Sequence, residues 1–253
     1  MGIQSRNWSM IIGGLLVLCP AALAVTNGQP DQDGHPYIGR LELFKSGRQI
    51  GQCSGALVAP TTFLTAAKCF VVFGEVDETR VLFDSVVLGN SPRMKGLAWF
   101  AHPDFCIACR SSVPGLDTRD IAVLLLEYPI EDRGFALLPN ANLLNTLPKR
   151  TQLTVVGYGT PETPPAFPTR YYALTSHVPS QNFSSADWLR LSNPAPKKDG
   201  STFDDAGAPV LLGNIVLGIT TFPKVDTSKG NFYATRIDLG VVTDFILQYV
   251  LVP

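Results

Sequence analysis

Residues 209–222 read PVLLGNIVLGITTF, two apolar runs of strand length broken by Gly213-Asn214. A Gly-Asn pair between β-branched and leucine-rich segments suits a tight two-residue hairpin turn, so the stretch is predicted to be two antiparallel strands. The same grammar recurs through the chain. Tyr37–Phe44 (YIGRLELF), Ile50–Ala59 (IGQCSGALVA), Thr62–Ala67 (TFLTAA), Ile121–Glu127 (IAVLLLE) and Leu153–Gly159 (LTVVGYG) are all short, apolar or alternating. Glycine, proline and asparagine punctuate them, as they do where strands turn. With 22 glycines and 20 prolines in 253 residues, many short strands fit better than long helices. The four prolines Pro161, Pro164, Pro165 and Pro168 mark a loop, because strand signals resume directly after them.

The two ends differ from this pattern. Arg6 precedes the apolar run Met10–Cys19 and then Ala22-Leu23-Ala24, a charged, apolar and small-residue succession that reads as a secretory signal over residues 1–24. The alternative is an N-terminal membrane anchor, but the apolar run is about half of the roughly 20 residues that a spanning helix needs. At the other end Val242, Phe245, Ile246, Tyr249 and Val250 repeat at helical spacing, with Asp238 upstream as a candidate cap.

Composition excludes several roles. Twenty basic against 21 acidic residues give a formal net charge of −1, without the basic excess that nucleic-acid binding draws on. After signal cleavage nothing remains to hold the chain in a membrane. Four cysteines stay in the mature chain: Cys53, Cys69, Cys106 and Cys109. An even number in an oxidising compartment suggests two disulfides, and the sequence alone allows three pairings. Cys106 and Cys109 are spaced C-x-x-C, which also suits a redox pair or half a zinc site, although no second C-x-x-C or H-x-x-H accompanies them. Neither metal nor cofactor is expected.

Six motifs in order resemble the trypsin-like serine endopeptidases. Val25-Thr26-Asn27-Gly28 is similar to their processed N-terminus, and Cys53-Ser54-Gly55-Ala56-Leu57 to their C-G-G-x-L strand. Thr65-Ala66-Ala67-Lys68-Cys69 stands where they carry T-A-A-H-C, and Asp120-Ile121-Ala122-Val123 where they carry D-I-A-L. Val156-Gly157-Tyr158-Gly159 resembles their G-W-G strand, and Asp204–Pro209 (DDAGAP) their G-D-S-G-G-P. The resemblance covers essentially the whole mature chain. It implies an all-β fold of two six-stranded antiparallel Greek-key barrels packed together, with a C-terminal α-helix. The first barrel would span about 25–145 and the second, with the helix, about 146–253. It also implies a Cys53–Cys69 disulfide, which leaves Cys106 and Cys109 to form a short local bridge or remain free thiols.

Catalysis in this family needs a serine nucleophile, a neutral imidazole to take its proton, and a buried carboxylate behind the imidazole. Asp120 keeps the carboxylate. Lys68 holds the position of the base, and near neutral pH its ammonium has no lone pair; a neighbouring carboxylate favours that charged form. Ala206 holds the position of the nucleophile, and a methyl group cannot attack a carbonyl. Of the three histidines, His35, His102 and His177, none lies in a matching context. Asp204 replaces the glycine whose N–H completes the oxyanion hole, putting negative charge where negative charge must develop. In the cleft, Gly200 stands where trypsins carry the aspartate that binds Arg or Lys. Thr202 replaces a half-cystine, and Thr221-Phe222-Pro223 replaces S-W-G. Pro223 has no N–H to give to a bound peptide.

Losing the serine or the histidine alone typically costs on the order of 10⁶ in turnover, so the resemblance implies an inactive homologue. The retained Asp205 would pair with the ammonium of Val25 once the signal is removed. Three functions compete on these residues. One is a monomeric secreted protein that binds or regulates a protein or peptide; another is a peptidase whose activity is residual or altered through Lys68; the third is a structural domain. Asn182-Phe183-Ser184 is the sole glycosylation sequon after residue 24.

Overall fold

The computed structural model describes residues 28–107, 109, 118–159, 165–178, 187–192, 206–221 and 231–250. The apolar runs become strands as their period requires. Ile38–Lys45 (β2), Arg48–Ala59 (β3), Thr62–Thr65 (β4), Glu78–Leu82 (β5), Met94–Ala101 (β6) and Ala122–Leu126 (β7) close into a barrel in the order β2-β3-β4-β7-β6-β5. Gln152–Gly157 (β8), Tyr171–His177 (β9), Trp188–Ser192 (β10), Pro209–Leu212 (β11), Ile215–Thr220 (β12) and Asn231–Arg236 (β13) form a second closed ring. Its order is β8-β9-β10-β13-β12-β11, sealed by the β11–β8 pair, and all its pairings are antiparallel. A two-residue strand, Gln29–Pro30 (β1), adds to β9 through Tyr171 and Tyr172.

The hairpin predicted at 209–222 forms between β11 and β12. Leu212 faces Ile215, and Gly213 takes φ +61, the left-handed conformation that this turn asks of its first central residue. Closing both sheets removes the unpaired edges that would invite aggregation.

Two cores result. One runs from Phe63, Leu41 and Leu64 inside the first barrel, through Val156, Ile219 and Ala206 between the barrels, to Phe245 and Ile246 of the terminal helix. The other fills the second barrel with Leu153, Val155, Leu189, Leu191 and Val210. The terminal helix, Gly240–Val250 (α3), buries Val242, Phe245 and Ile246, as its spacing predicted. It lies on the first barrel, where Tyr249 stacks on Phe100 at 4.7 Å and its carbonyl accepts the Thr62 hydroxyl at 2.9 Å.

Asp238 does something other than the expected capping of this helix. Its carboxylate is buried and accepts Arg236 Nε at 2.9 Å and the Leu144 N–H at 2.8 Å. It therefore caps the single turn Leu143–Thr146 (α2) instead, while Thr243 at the start of α3 bonds the Ile237 carbonyl at 2.8 Å. A nearby arginine and an orphan amide outcompete the local capping role.

Candidate functional site

Asp120 sits at the seam of the two barrels and is fully buried. One carboxylate oxygen accepts the backbone N–H of Lys68 at 2.7 Å, and the other accepts the hydroxyl of Thr221 at 2.5 Å. Lys68 opens the turn Lys68–Val71 (α1), directly after β4 of the first barrel; Thr221 follows β12 of the second. The carboxylate thus accepts hydrogen bonds from both halves of the molecule, as a buried polar group requires. Three of the residues singled out in the sequence, Lys68, Asp120 and Thr221, are brought together here.

Ala206 lies in a turn clamped from several directions, next to a glycine bonded to the residue before Thr221. Its carbonyl accepts Ser54 N–H at 2.8 Å, and the following Gly207 donates to the Thr220 carbonyl at 2.8 Å with φ +81. The Thr65 hydroxyl donates to the Ser54 carbonyl at 2.7 Å, and the Ser54 hydroxyl oxygen accepts Tyr158 N–H at 2.8 Å. The Ala206 methyl is buried, with 1% of the residue exposed. Ser54 and Thr65, which have no part in the family's relay, both belong to this clamp. The signal for Ser54 was its place in Cys53-Ser54-Gly55, where the resembling strand carries glycine.

Both disulfides form. Cys53–Cys69, with Cα atoms 6.3 Å apart, is buried in the first barrel and ties β3 to the residue after Lys68. Cys106–Cys109 closes a short loop with Cα atoms 5.6 Å apart. Val25, Asn182, Gly200, Thr202, Asp204, Asp205, Phe222, Pro223 and the signal segment 1–24 lie outside the described residues. Among the described residues no three metal-ligating side chains gather, and no helix is long and apolar enough to cross a membrane.

The family model for trypsin matches residues 25–246. The chain belongs to the trypsin family. No curated protein matches its sequence. Among solved structures, HL collagenase superposes with a TM-score of 0.71 at 19% identity, covering 90% of this chain and 99% of that one. A structure titled GrC gives 0.69 at 20% identity over 88% and 98% of the two chains. Human heparin binding protein gives 0.67 at 16% identity over 89% and 96%. Likeness at these identities establishes the fold alone.

The three histidines of this trypsin-family chain fall at other places in the fold. His35 Nδ1 lies 2.5 Å from Asp31, and His177 belongs to β9. His102 is buried between the first barrel and α3. Its Nδ1 accepts the Asp104 N–H at 3.1 Å, so Nε2 carries the proton and donates to the Val241 carbonyl at 3.2 Å. Burial holds this imidazole below its usual value of 6.5, outweighing the Val241 bond and Asp104, which favour the charged form. The unfolded chain then binds a proton that the folded one resists. Stability should be fully present above about pH 6.5 and should fall as pH drops below it, by at most about 1.4 kcal/mol per pH unit. Thermal unfolding of the unmodified protein and of His102→Gln across this window should show a shallower acid-side loss in the variant.

Proposed function

We propose that this chain is a secreted trypsin-family protein that no longer cleaves peptide bonds and acts as a monomeric binding or regulatory protein for a protein or peptide. One observation carries the reading. The buried Asp120–Thr221 arrangement persists, yet Lys68 stands on it where the proton acceptor belongs, and a buried methyl, Ala206, stands where the nucleophile belongs. One of the relay's three side chains, Asp120, is kept in place while the other two positions carry residues that cannot do its chemistry.

The signal-like segment 1–24 and two disulfides support an extracellular setting. Removing that segment would expose Val25 as a free ammonium for Asp205, so maturation would need no separate activation cut. Heparin, which one structural neighbour is named for, is a polyanion, and 20 basic against 21 acidic residues give no excess positive charge to hold one here. A peptide or protein surface is the better match, with no cofactor involved.

The test compares the mature protein, starting at Val25, with the revertant Lys68→His, Asp204→Gly, Ala206→Ser on a peptide library read by mass spectrometry. Silence from the first and cleavage by the second is the expected result, and would direct a search for bound peptides to the cleft. Cleavage by the unmodified protein, abolished on replacing Lys68, would overturn the reading in favour of altered catalysis. If both are silent, binding is to be sought on the outer loops.

A further inference from the structure

We propose that Cys106–Cys109 is a thiol–disulfide exchange site open to low-molecular-weight thiols, and that opening it releases the strand bridge that steadies the approach to Asp120. The two disulfides of this chain are placed in opposite environments. Cys53 and Cys69 are 1% and 0% exposed in the first-barrel core. Cys109 is exposed, Cys106 is partly buried, and Ile107 between them is 48% exposed. Exchange requires in-line attack by a thiolate on a sulfur, so access separates the two bonds before any other factor does. Loop length points the same way. Cys53–Cys69 spans 16 positions and Cys106–Cys109 only 3, and the stabilisation a crosslink gives grows with the loop it closes.

The geometry fixes the order of events. A thiolate attacks the exposed Cys109 sulfur; the Cys106–Cys109 bond breaks, and a mixed disulfide forms at Cys109. The electron pair leaves on the Cys106 sulfur, which takes a proton from water. A second thiolate attacks the thiol-derived sulfur of the mixed disulfide, freeing Cys109. Two small thiols become one disulfide as the protein bond gains two electrons.

Consequences follow at Thr118. Cys106 and Thr118 exchange both backbone hydrogen bonds, each 3.1 Å, in an isolated bridge two residues before Asp120. Arg119 follows in a left-handed conformation (φ +50), with its guanidinium 2.5 Å from Asp187. Residues 118–120 are thus held by the cysteine bridge on one side and by that ion pair on the other. This inference does not depend on whether the cleft binds or cleaves.

The experiment exposes the native protein to reduced glutathione, traps thiols with iodoacetamide at intervals and locates them by peptide mass spectrometry. Cys106 and Cys109 should be labelled at least about 10³-fold faster than Cys53 and Cys69, whose exposure needs the barrel to open. In parallel, hydrogen exchange should show the Cys106 and Thr118 amides losing protection, while the Leu57 amide, bonded to the Tyr37 carbonyl at 2.8 Å, keeps it. The double variant Cys106→Ser, Cys109→Ser should reproduce that pattern without thiol. Equal labelling of all four cysteines would overturn the exchange site. Selective labelling with unchanged Thr118 protection would overturn its link to the Asp120 approach.

Discussion

Arg170→Leu is expected to lower the free energy of unfolding by about 3–5 kcal/mol, the usual cost of removing one partner from a buried ion pair. Arg170 is 1% exposed, yet its donors have partners. Nε donates to Asp31 at 2.7 Å, and the two terminal nitrogens donate to the carbonyls of Phe83 (2.8 Å), Ile38 (3.1 Å) and Gln32 (2.7 Å). It also meets the Tyr158 hydroxyl at 3.3 Å, and burial pushes that phenol up to about 12. One guanidinium therefore joins the segment entering the domain, the first barrel and the second. Burial alone would raise the Asp31 carboxyl, but the bonds from His35 and Arg170 hold it below its ordinary 3.8. Its stabilising share is present above that value and is lost as pH falls through the lower, folded value. Urea denaturation is the check, with Asp31→Asn, Arg170→Leu beside the single variant. The double variant should recover only part of the loss, because the three carbonyls still lack their donor. A single-variant loss below about 1 kcal/mol would show that the pair contributes no more than a surface ion pair does.

Gly207→Ala should cost a similar amount, about 3–5 kcal/mol, for a different reason. Its φ of +81 already disfavours a side chain, and an added methyl would run into the Ser54 carbonyl oxygen and the Thr65 hydroxyl. Those groups belong to the clamp around Ala206, so relieving the clash means giving up hydrogen bonds. Gly213→Ala separates the two contributions. Its φ is also positive, at +61, but nothing lies within 4 Å of the new atom. That variant should lose only the backbone part, about 1–2 kcal/mol. Equal losses at the two positions would show that crowding at the seam contributes nothing.

The strands were legible because a closed barrel buries one face of each, and alternation and turn residues record that directly. The hairpin at 209–220 and the helix at 240–250 follow from local pattern alone. The Asp120–Thr221 contact came within reach only through order of motifs, since its partners are 101 positions apart. The Arg170–Asp31 pair left no trace in the sequence. Its partners are 139 residues apart, and nothing about an arginine after a proline-rich loop says that it is buried. Asp238 misled for a related reason: local spacing proposed a helix cap, and partners brought by the fold took the carboxylate first.

The hydrogen bond from Thr62 to Tyr249 joins residues 187 positions apart. Every strand of the first barrel is synthesised before those of the second, yet the helix that covers its Phe100 and His102 side follows the second barrel. During translation that barrel must wait with apolar side chains uncovered until α3 leaves the ribosome. A chain stopped short of α3 would therefore be deprived in the half made first, and the barrel made second would suffer less.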